Sequence, residues 1–526
     1  MFNNFNITQF LKIETIIQYL DEIKIFSYII IFLKFNLILS LNNQLLNAKN
    51  YISADPFDIL LIERDFYLDN NYKQSFLIRP LYNKSNRDLW LYISRNEVFI
   101  NDNYPNLENM DNRWIGKGIG FFSGINISYS NKYLIFSIEP YYYFNQNKYL
   151  KDKSRESPYG DDHPNIFNVL NDNRIHNNEP LNIYDIRQSK LIFNINEIGF
   201  GLSNENMWWG PGIHTSLTMT NNTSGFPYFM IGTLNEKLYN NVGINFRYIF
   251  TKIKQISDKP YYTSLVFTSS FYSKPIITLG FSRNYISGGY KVDRPLRAWD
   301  AALLPFEGLF IESKPNNEFG PHDPWDQSLS GFLVFNYLDS GIKIFIEMGT
   351  DDHRQNWMDL RSQPDHNSAT IIGLRKYGIF NNKSLFGGFE YANIKQTYSY
   401  VYRGGGLWWW KDYYDYSSYK GRRWAAHSGS DSDDMYIFFG YKKNNITVIP
   451  SFNYERHGIV TATIPEVKIE FRLDVRMLYH KYNINIYYEK ELLKNNEFKI
   501  DKKEKSNVLW IGISREIGKL ISSHKN

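Results

Sequence analysis

Between Val467 and Tyr479 apolar and charged residues take turns: Val467, Ile469, Phe471, Leu473, Val475, Met477 and Tyr479 interleave with Lys468, Glu470, Arg472, Asp474 and Arg476. A period of two sends successive side chains to opposite faces of a β-strand, so one face is apolar and the other ionic. Strands of soluble domains usually run about 5–6 residues. At about 3.3 Å per residue and a tilt near 45°, this one crosses a hydrocarbon layer about 30 Å thick. A long amphipathic strand of a soluble sheet is the competing reading. The signs along the charged face alternate, which suits a wet lumen where neighbouring strands supply counter-charges.

The pattern recurs. Strands are predicted near 329–337, 341–349, 370–379, 385–397, 435–441, 446–455, 467–479, 482–491 and 507–517. In the second of these, Ile342, Ile344, Ile346 and Met348 alternate with Lys343, Phe345 and Glu347. Upstream, Gly118 to Tyr129 and Tyr133 to Phe144 flank the turn Ser130-Asn131-Lys132. Leu338-Asp339-Ser340, Asn381 to Ser384, Lys442 to Asn445 and His480-Lys481 are short connections, whereas 350–369, 398–434, 456–466 and 492–506 are long. Short turns at one end and long loops at the other are the bacterial outer-membrane pattern, and the parity puts the long loops outside the cell. The fold class predicted is all-β, a large antiparallel transmembrane β-barrel of about 16–18 strands.

The barrel is expected over 111–518, followed by a tail over 519–526. Residues 49–110, with a short helix from Pro56 to Arg64, read as a small N-terminal helical element on the periplasmic side. The apolar run from Ile25 to Leu41 follows Lys24, is interrupted by Lys34 and Asn36, and ends in Leu46-Asn47-Ala48. About 17 residues with an internal charge are short for a spanning helix and suit a signal peptide over 1–48, with an uncleaved anchor as the alternative.

Composition agrees with a barrel. The 526 residues show no linker or compositional break, and 41 Tyr, 38 Phe and 12 Trp make the chain 17% aromatic. Mean hydropathy is nevertheless −0.44. Alternating faces with aromatic residues gathered at two interfaces give that combination. A net charge of +5 without a basic stripe argues against nucleic acid. With no Cys, disulfides and thiolate chemistry are excluded.

The most specific motif is Met207-Trp208-Trp209-Gly210-Pro211-Gly212, continuing through His214, Ser216-Leu217, Asn221-Asn222 and Gly225-Phe226-Pro227 to Gly232-Thr233. Arg297-Ala298-Trp299-Asp300, the stretch from Pro305 to Glu312, His427 to Asp434 and Tyr454 to Gly458 accompany it. Together they resemble the capsule assembly Wzi family, particularly its Bacteroidetes-type members, over most of 110–517. The resemblance implies an outer-membrane lectin barrel that holds capsular polysaccharide at the cell surface. Because the outer loops of that family vary, no sugar-contacting residue is carried over. Read from the residues alone, Trp208, Trp209, Gly210, Pro211 and Gly212 form a tight backbone path with two indoles, an inward fold or interfacial girdle before a sugar site.

Candidate sugar contacts come from the loop over 403–434, which holds Trp408, Trp409, Trp410, Tyr413, Tyr414, Arg422, Arg423 and Trp424. Aromatic faces stack on pyranose rings, and Arg forks onto uronate carboxylates. An aromatic cluster packed on itself or in the membrane girdle is the competing reading. Arg354 and Trp357 on the neighbouring long loop are candidates for a second wall. No metal or cofactor is expected: Asp431-Ser432-Asp433-Asp434 lacks the Gly and closing Glu of a calcium loop, and Asp161-Asp162-His163 reads as a solvated loop. No G-x-S-x-G, H-E-x-x-H or phosphate loop is present, and His214 with Ser216 lacks a third group. The expectation is a monomeric non-enzyme that binds capsular or extracellular polysaccharide and sits in outer-membrane lipid. A porin-like channel lined by the Lys468 to Arg476 face is the alternative, and a glycan- or lipid-modifying enzyme the third class.

Overall fold

The computed structural model describes residues 51–52, 55–69, 74–82, 89–106, 108–148, 179–255, 258–289, 296–306, 325–351, 357–395, 417–420, 422–460 and 462–521. The expected signal peptide lies outside the described residues. One antiparallel sheet closes on itself. Its strands are β1 (Leu89–Asn101), β2 (Gly118–Ser130), β3 (Leu134–Asn145), β4 (Leu181–Ile195), β5 (Ile198–Ser203) and β6 (Tyr228–Thr233). Then come β7 (Val242–Lys252), β8 (Tyr261–Phe271), β9 (Ile276–Ser287), β10 (Trp325–Tyr337), β11 (Ile342–Asp351) and β12 (Ser368–Tyr377). The circuit ends with β13 (Leu385–Ile394), β14 (Ser432–Lys443), β15 (Ile446–His457), β16 (Glu466–Tyr479), β17 (Tyr482–Lys494) and β18 (Lys503–Ile521). A short piece, Lys237–Tyr239, continues β6 along β7, so the circuit counts eighteen positions.

Every neighbour in chain order pairs antiparallel, and β18 returns to β1 to complete the ring. Closure leaves no open sheet edge, the only sheet form that satisfies backbone polar groups within lipid. Among the described residues no helix is long and apolar enough to cross a membrane.

The predicted alternation is seen directly. In β11, Lys343, Phe345 and Glu347 are buried in the lumen, while Ile344 and Met348 are exposed on the outside. In β16 Phe471 and Leu473 face outward, while Lys468, Glu470 and Asp474 are buried inside. Connections 131–133, 196–197, 272–275, 338–341, 444–445 and 480–481 are short and join strands at one end; at the opposite end the strands are joined by longer spans, among them 102–117, 204–227 and 395–431.

Two boundaries differ from expectation. The barrel begins at Leu89 rather than 111, because β1 is the closing strand. A bulge between Ile93 and Arg95 breaks its alternation and hides it from a period-two reading. The last strand runs to Ile521, past the expected end at 518, with further register shifts near Gly518.

The predicted helix forms as α1 (Pro56–Leu68), four residues longer than expected, and it lies inside the barrel. Asp55 caps it, accepting from the N–H groups of Phe57 and Asp58 at 3.0 Å each, and Pro56 occupies the first turn where no N–H is needed. Phe57, Leu60 and Tyr67 pack on Ile276, Tyr377, Phe386, Phe438 and Ile449, strand positions beside the short turns. The helix therefore fills the short-turn end of the lumen. Its Asp58 and Asp65 carboxylates meet Arg476 and Lys442 of the wall.

Replacing Phe471 with Arg puts a charge on the lipid face and is expected to lower folding stability in lipid vesicles by about 2–4 kcal/mol if the position lies near mid-membrane. The denaturant midpoint measures it; an unchanged midpoint would contradict the outward, lipid-facing assignment.

Candidate functional site

Above α1 the lumen is occupied by the inner loop, residues 204–227, which leaves the wall where β5 stops after six residues. Residues 205–223 are buried without exception. A second segment, 75–82, lies with it: Ile78 and Arg79 pair antiparallel with Trp209 and Trp208. The Tyr82 N–H donates to Asn235 at 2.9 Å, and the Asn235 amide returns a bond to the Tyr82 carbonyl at 2.6 Å.

Glycine is required at both Gly positions of the Trp208 to Gly212 turn. Gly210 has φ +119°, and a Cβ there would fall 2.8 Å from Glu347 Oε2; at Gly212 it would fall 2.0 Å from the Thr215 carbonyl. The turn's carbonyls are held by two buried guanidinium groups. Arg79 Nη2 donates to Gly210 O and Gly212 O at 2.8 and 2.9 Å, with its plane over Trp208. Arg375 Nη2 donates to Pro211 O at 2.6 Å and to Glu390 at 3.1 Å. Glu390 in turn accepts from the N–H groups of Ile213 and His214 at 2.8 and 3.0 Å, and Glu347 from that of Leu217 at 3.1 Å.

The network continues to the helix. Arg375 Nη1 donates to Glu63 at 2.9 Å, Tyr377 donates to Glu63 at 2.9 Å, and Lys343 pairs with its other oxygen. Glu63, Lys343, Arg375 and Glu390 are all at most 2% exposed. Burial alone would raise the Glu63 pKa, but Lys343 and Arg375 outweigh it and hold the carboxyl at about 2. Glu63 thus ties α1 to the wall, and Arg375 ties the wall to the inner loop. Between α1 and the β1, β16, β17 and β18 wall a cavity of ≈ 510 Å³ remains, lined by polar groups including Asp55, Asp58, Arg95, Arg472, Arg476 and His214.

The sequence candidates divide. Trp208, Trp209, Gly210, Pro211 and Gly212 are fully internal, an inward fold instead of an interfacial girdle. Trp424 is 1% exposed, packed on Tyr262 and Phe226, so its faces are closed to a sugar and that assignment is corrected. Arg422 Nη1 donates to the carbonyls of Asp111 and Arg113 at 2.7 and 3.0 Å, and Arg423 Nη1 to that of His427 at 2.7 Å. These two arginines brace the loop. Trp408, Trp409, Trp410, Tyr413, Tyr414 and Arg354 lie outside the described residues; Trp357 begins a one-turn helix, Trp357–Ser362.

His214 and Ser216 engage different partners, the first Asp434 at 3.1 Å and the second the Trp209 carbonyl. Asp431, Asp433 and Asp434 diverge as well: Asp431 accepts from Val460, Asp433 pairs with Arg456 and Lys395, and Asp434 turns to two histidines. The charged face of β16 is internally paired, Arg472 and Arg476 both with Asp474 at 3.0 Å and Arg476 also with Asp55 and Asp58 of the helix. Sequence reasoning missed Glu63, Arg79 and Glu390. An isolated charge within an apolar stretch was the signal available for Arg79 and Glu390, whereas Glu63 sits beside Arg64 and Asp65 and stands out from neither.

No protein-family model matches this sequence, and no curated protein does. Among solved structures the fold is similar to Wzi of Escherichia coli, described as an outer membrane protein involved in group 1 capsule assembly and a carbohydrate binding β-barrel. Identity is 11% over 89% of this chain and 99% of that one, with a TM-score of 0.58. OccK8 (OprE) and OccK5 (OpdH) of Pseudomonas aeruginosa align with TM-scores of 0.42 and 0.38, at 9% and 8% identity, over 82% of this chain and 98% of each. The likeness to Wzi is one of fold: a closed outer-membrane-type β-barrel.

Glu63→Gln removes the anion that Lys343 and Arg375 share. The thermal midpoint at pH 7 is expected to fall, since breaking a buried charge cluster costs about 3–5 kcal/mol. A carboxylate depressed to about 2 stabilises fully above its unfolded pKa of about 4.3, and that contribution disappears as pH falls toward 2. Wild-type stability should therefore drop through that window more steeply than the variant's. Equal midpoints at pH 7 would contradict the anchoring role.

Proposed function

We propose that this barrel binds an extracellular polysaccharide of capsular type at the surface of a bacterial outer membrane and retains it there without turnover. The observation that carries the reading is the occupied lumen: α1 and the buried residues 205–223 take up much of the space a porin keeps open, beside the cavity of ≈ 510 Å³. A barrel filled in this way offers its long-loop end as its working surface. Likeness in fold to a barrel described as carbohydrate binding supports the same reading.

In this reading the long loops face the outside. The chain enters β1 and leaves β18 at the short-turn end, as it does in barrels whose termini are periplasmic. Sugar contact is assigned to the aromatic stretch Trp408, Trp409, Trp410, Tyr413 and Tyr414, together with Arg354 and Trp357 of the neighbouring long loop. Indole faces against pyranose C–H faces, with guanidinium for uronate carboxylates, suit an acidic glycan.

The test is binding of detergent-purified protein to the host's own capsular polysaccharide, wild type beside a Trp408→Ala, Trp409→Ala, Trp410→Ala triple variant. At about 1 kcal/mol per stacked ring, the variant should bind at least tenfold more weakly. Equal binding would remove the aromatic stretch from the site, no binding by wild type would contradict the function, and shortening of the glycan chains would mark an enzyme.

A further inference from the structure

The long-loop half of the lumen contains a second cluster that the ion network around Glu63 does not use. His214 comes from the inner loop, His427 from the 395–431 connection, Asp434 from β14, Glu455 from β15 and Glu108 from the 102–117 connection. His214 Nε2 lies 3.1 Å and His427 Nε2 3.2 Å from the same oxygen, Asp434 Oδ2. His427 Nε2 is also 3.8 Å from Glu108 Oε2 and 3.8 Å from Glu455 Oε2. Ligand atoms of Glu108, His214 and His427 all lie within 4.8 Å of one another.

We propose that these side chains form a site for one divalent transition-metal ion of the zinc class, held by His214, His427 and Asp434 and completed by Glu108 or Glu455. Ligands at about 2.0–2.1 Å in a tetrahedron stand about 3.3 Å apart, and the separations of 3.1, 3.2 and 3.8 Å fall around that value. His427 is 7% exposed; among the described residues its Nδ1 has no hydrogen-bond partner, and its Nε2 meets Asp434 Oδ2 at 3.2 Å without the alignment of a hydrogen bond. Buried polar atoms left in that state call for a partner, and a cation supplies one.

The charge around the centre favours a cation. Among the described residues Asp434, Glu108, Glu455 and Glu470 face Lys468, which pairs with Glu108 and lies 2.9 Å from Glu455 and 3.3 Å from Glu470, and His457, whose Nε2 lies 2.6 Å from Glu455 Oε1, so the carboxylates outnumber the basic groups four to two. Two imidazoles select zinc-class ions over calcium or magnesium, which prefer oxygen.

Both rings are held in place. His214 stacks on Tyr436 with centroids 4.0 Å apart and planes at 5°, and the His427 carbonyl accepts from Arg423. Asn453 Nδ2, now 2.9 Å from His214 Nε2, yields that nitrogen to the metal. His214 and Glu108 also line the ≈ 510 Å³ cavity, which provides a path in. The ion would fasten the inner loop and the 395–431 connection to the wall.

The experiment uses full-length, tag-free, detergent-purified protein stripped with a chelator and titrated with zinc chloride. One zinc per chain and a raised thermal midpoint are expected. His427→Gln and His214→Gln should each weaken zinc binding at least tenfold, while His480→Gln, at the exposed β16–β17 turn, should leave it unchanged. Cobalt substitution of the wild type should give the intense visible absorption of a four-coordinate site, a readout independent of whether the variants fold. Wild type without stoichiometric zinc, zinc binding unchanged in folded His427→Gln and His214→Gln, or cobalt without that absorption would overturn the proposal.

Discussion

Closure of the sheet by β18 on β1 is the contact on which the rest of the structure depends. A membrane offers no water to satisfy a sheet edge, so eighteen strands must join into a ring or leave a row of backbone groups unpaired. The ring is wide, and its interior must then be solvated or filled. Here a helix and an inward loop occupy much of it, beside a polar cavity of ≈ 510 Å³.

Filling a polar-walled barrel creates its own requirement. The inner faces carry Lys343, Glu347, Arg375 and Glu390, and packing α1 and the inner loop against them takes these charges out of water. Each must then find partners. Arg375 does so with Glu63, Glu390 and the Pro211 carbonyl at once, which makes one wall residue the joint between helix and loop. Arg79 performs the matching task for the Gly210 and Gly212 carbonyls. The glycines and proline of that turn are explained by these contacts: the backbone has to approach Glu347 and Thr215 more closely than a side chain permits.

How much of this was legible follows from what period-two alternation records. It marks strands whose two faces meet different media, so β10 to β17 appear in the sequence within a few residues of their positions, and the long and short connections come with them. Where a bulge shifts the phase, as near Ser94 in β1, the strand disappears from that reading. Alternation also says which charges point inward but not which will meet, so the joining of Glu63 with Arg375, 312 positions apart, could not be read. Trp424 illustrates the converse. An aromatic residue in a loop full of aromatics looked like a sugar platform, yet it packs with Phe226 and Tyr262 in the interior.

The central claim is that helix and inner loop close the lumen, leaving the molecule to act at its loop surface. Electrical recording of the purified barrel in planar lipid bilayers tests it most directly. The account predicts insertion without ohmic conductance steps, because α1 and residues 205–223 are anchored by buried ion pairs. Stable, reproducible single-channel steps from the wild type would contradict it and return the molecule to the class of open channels.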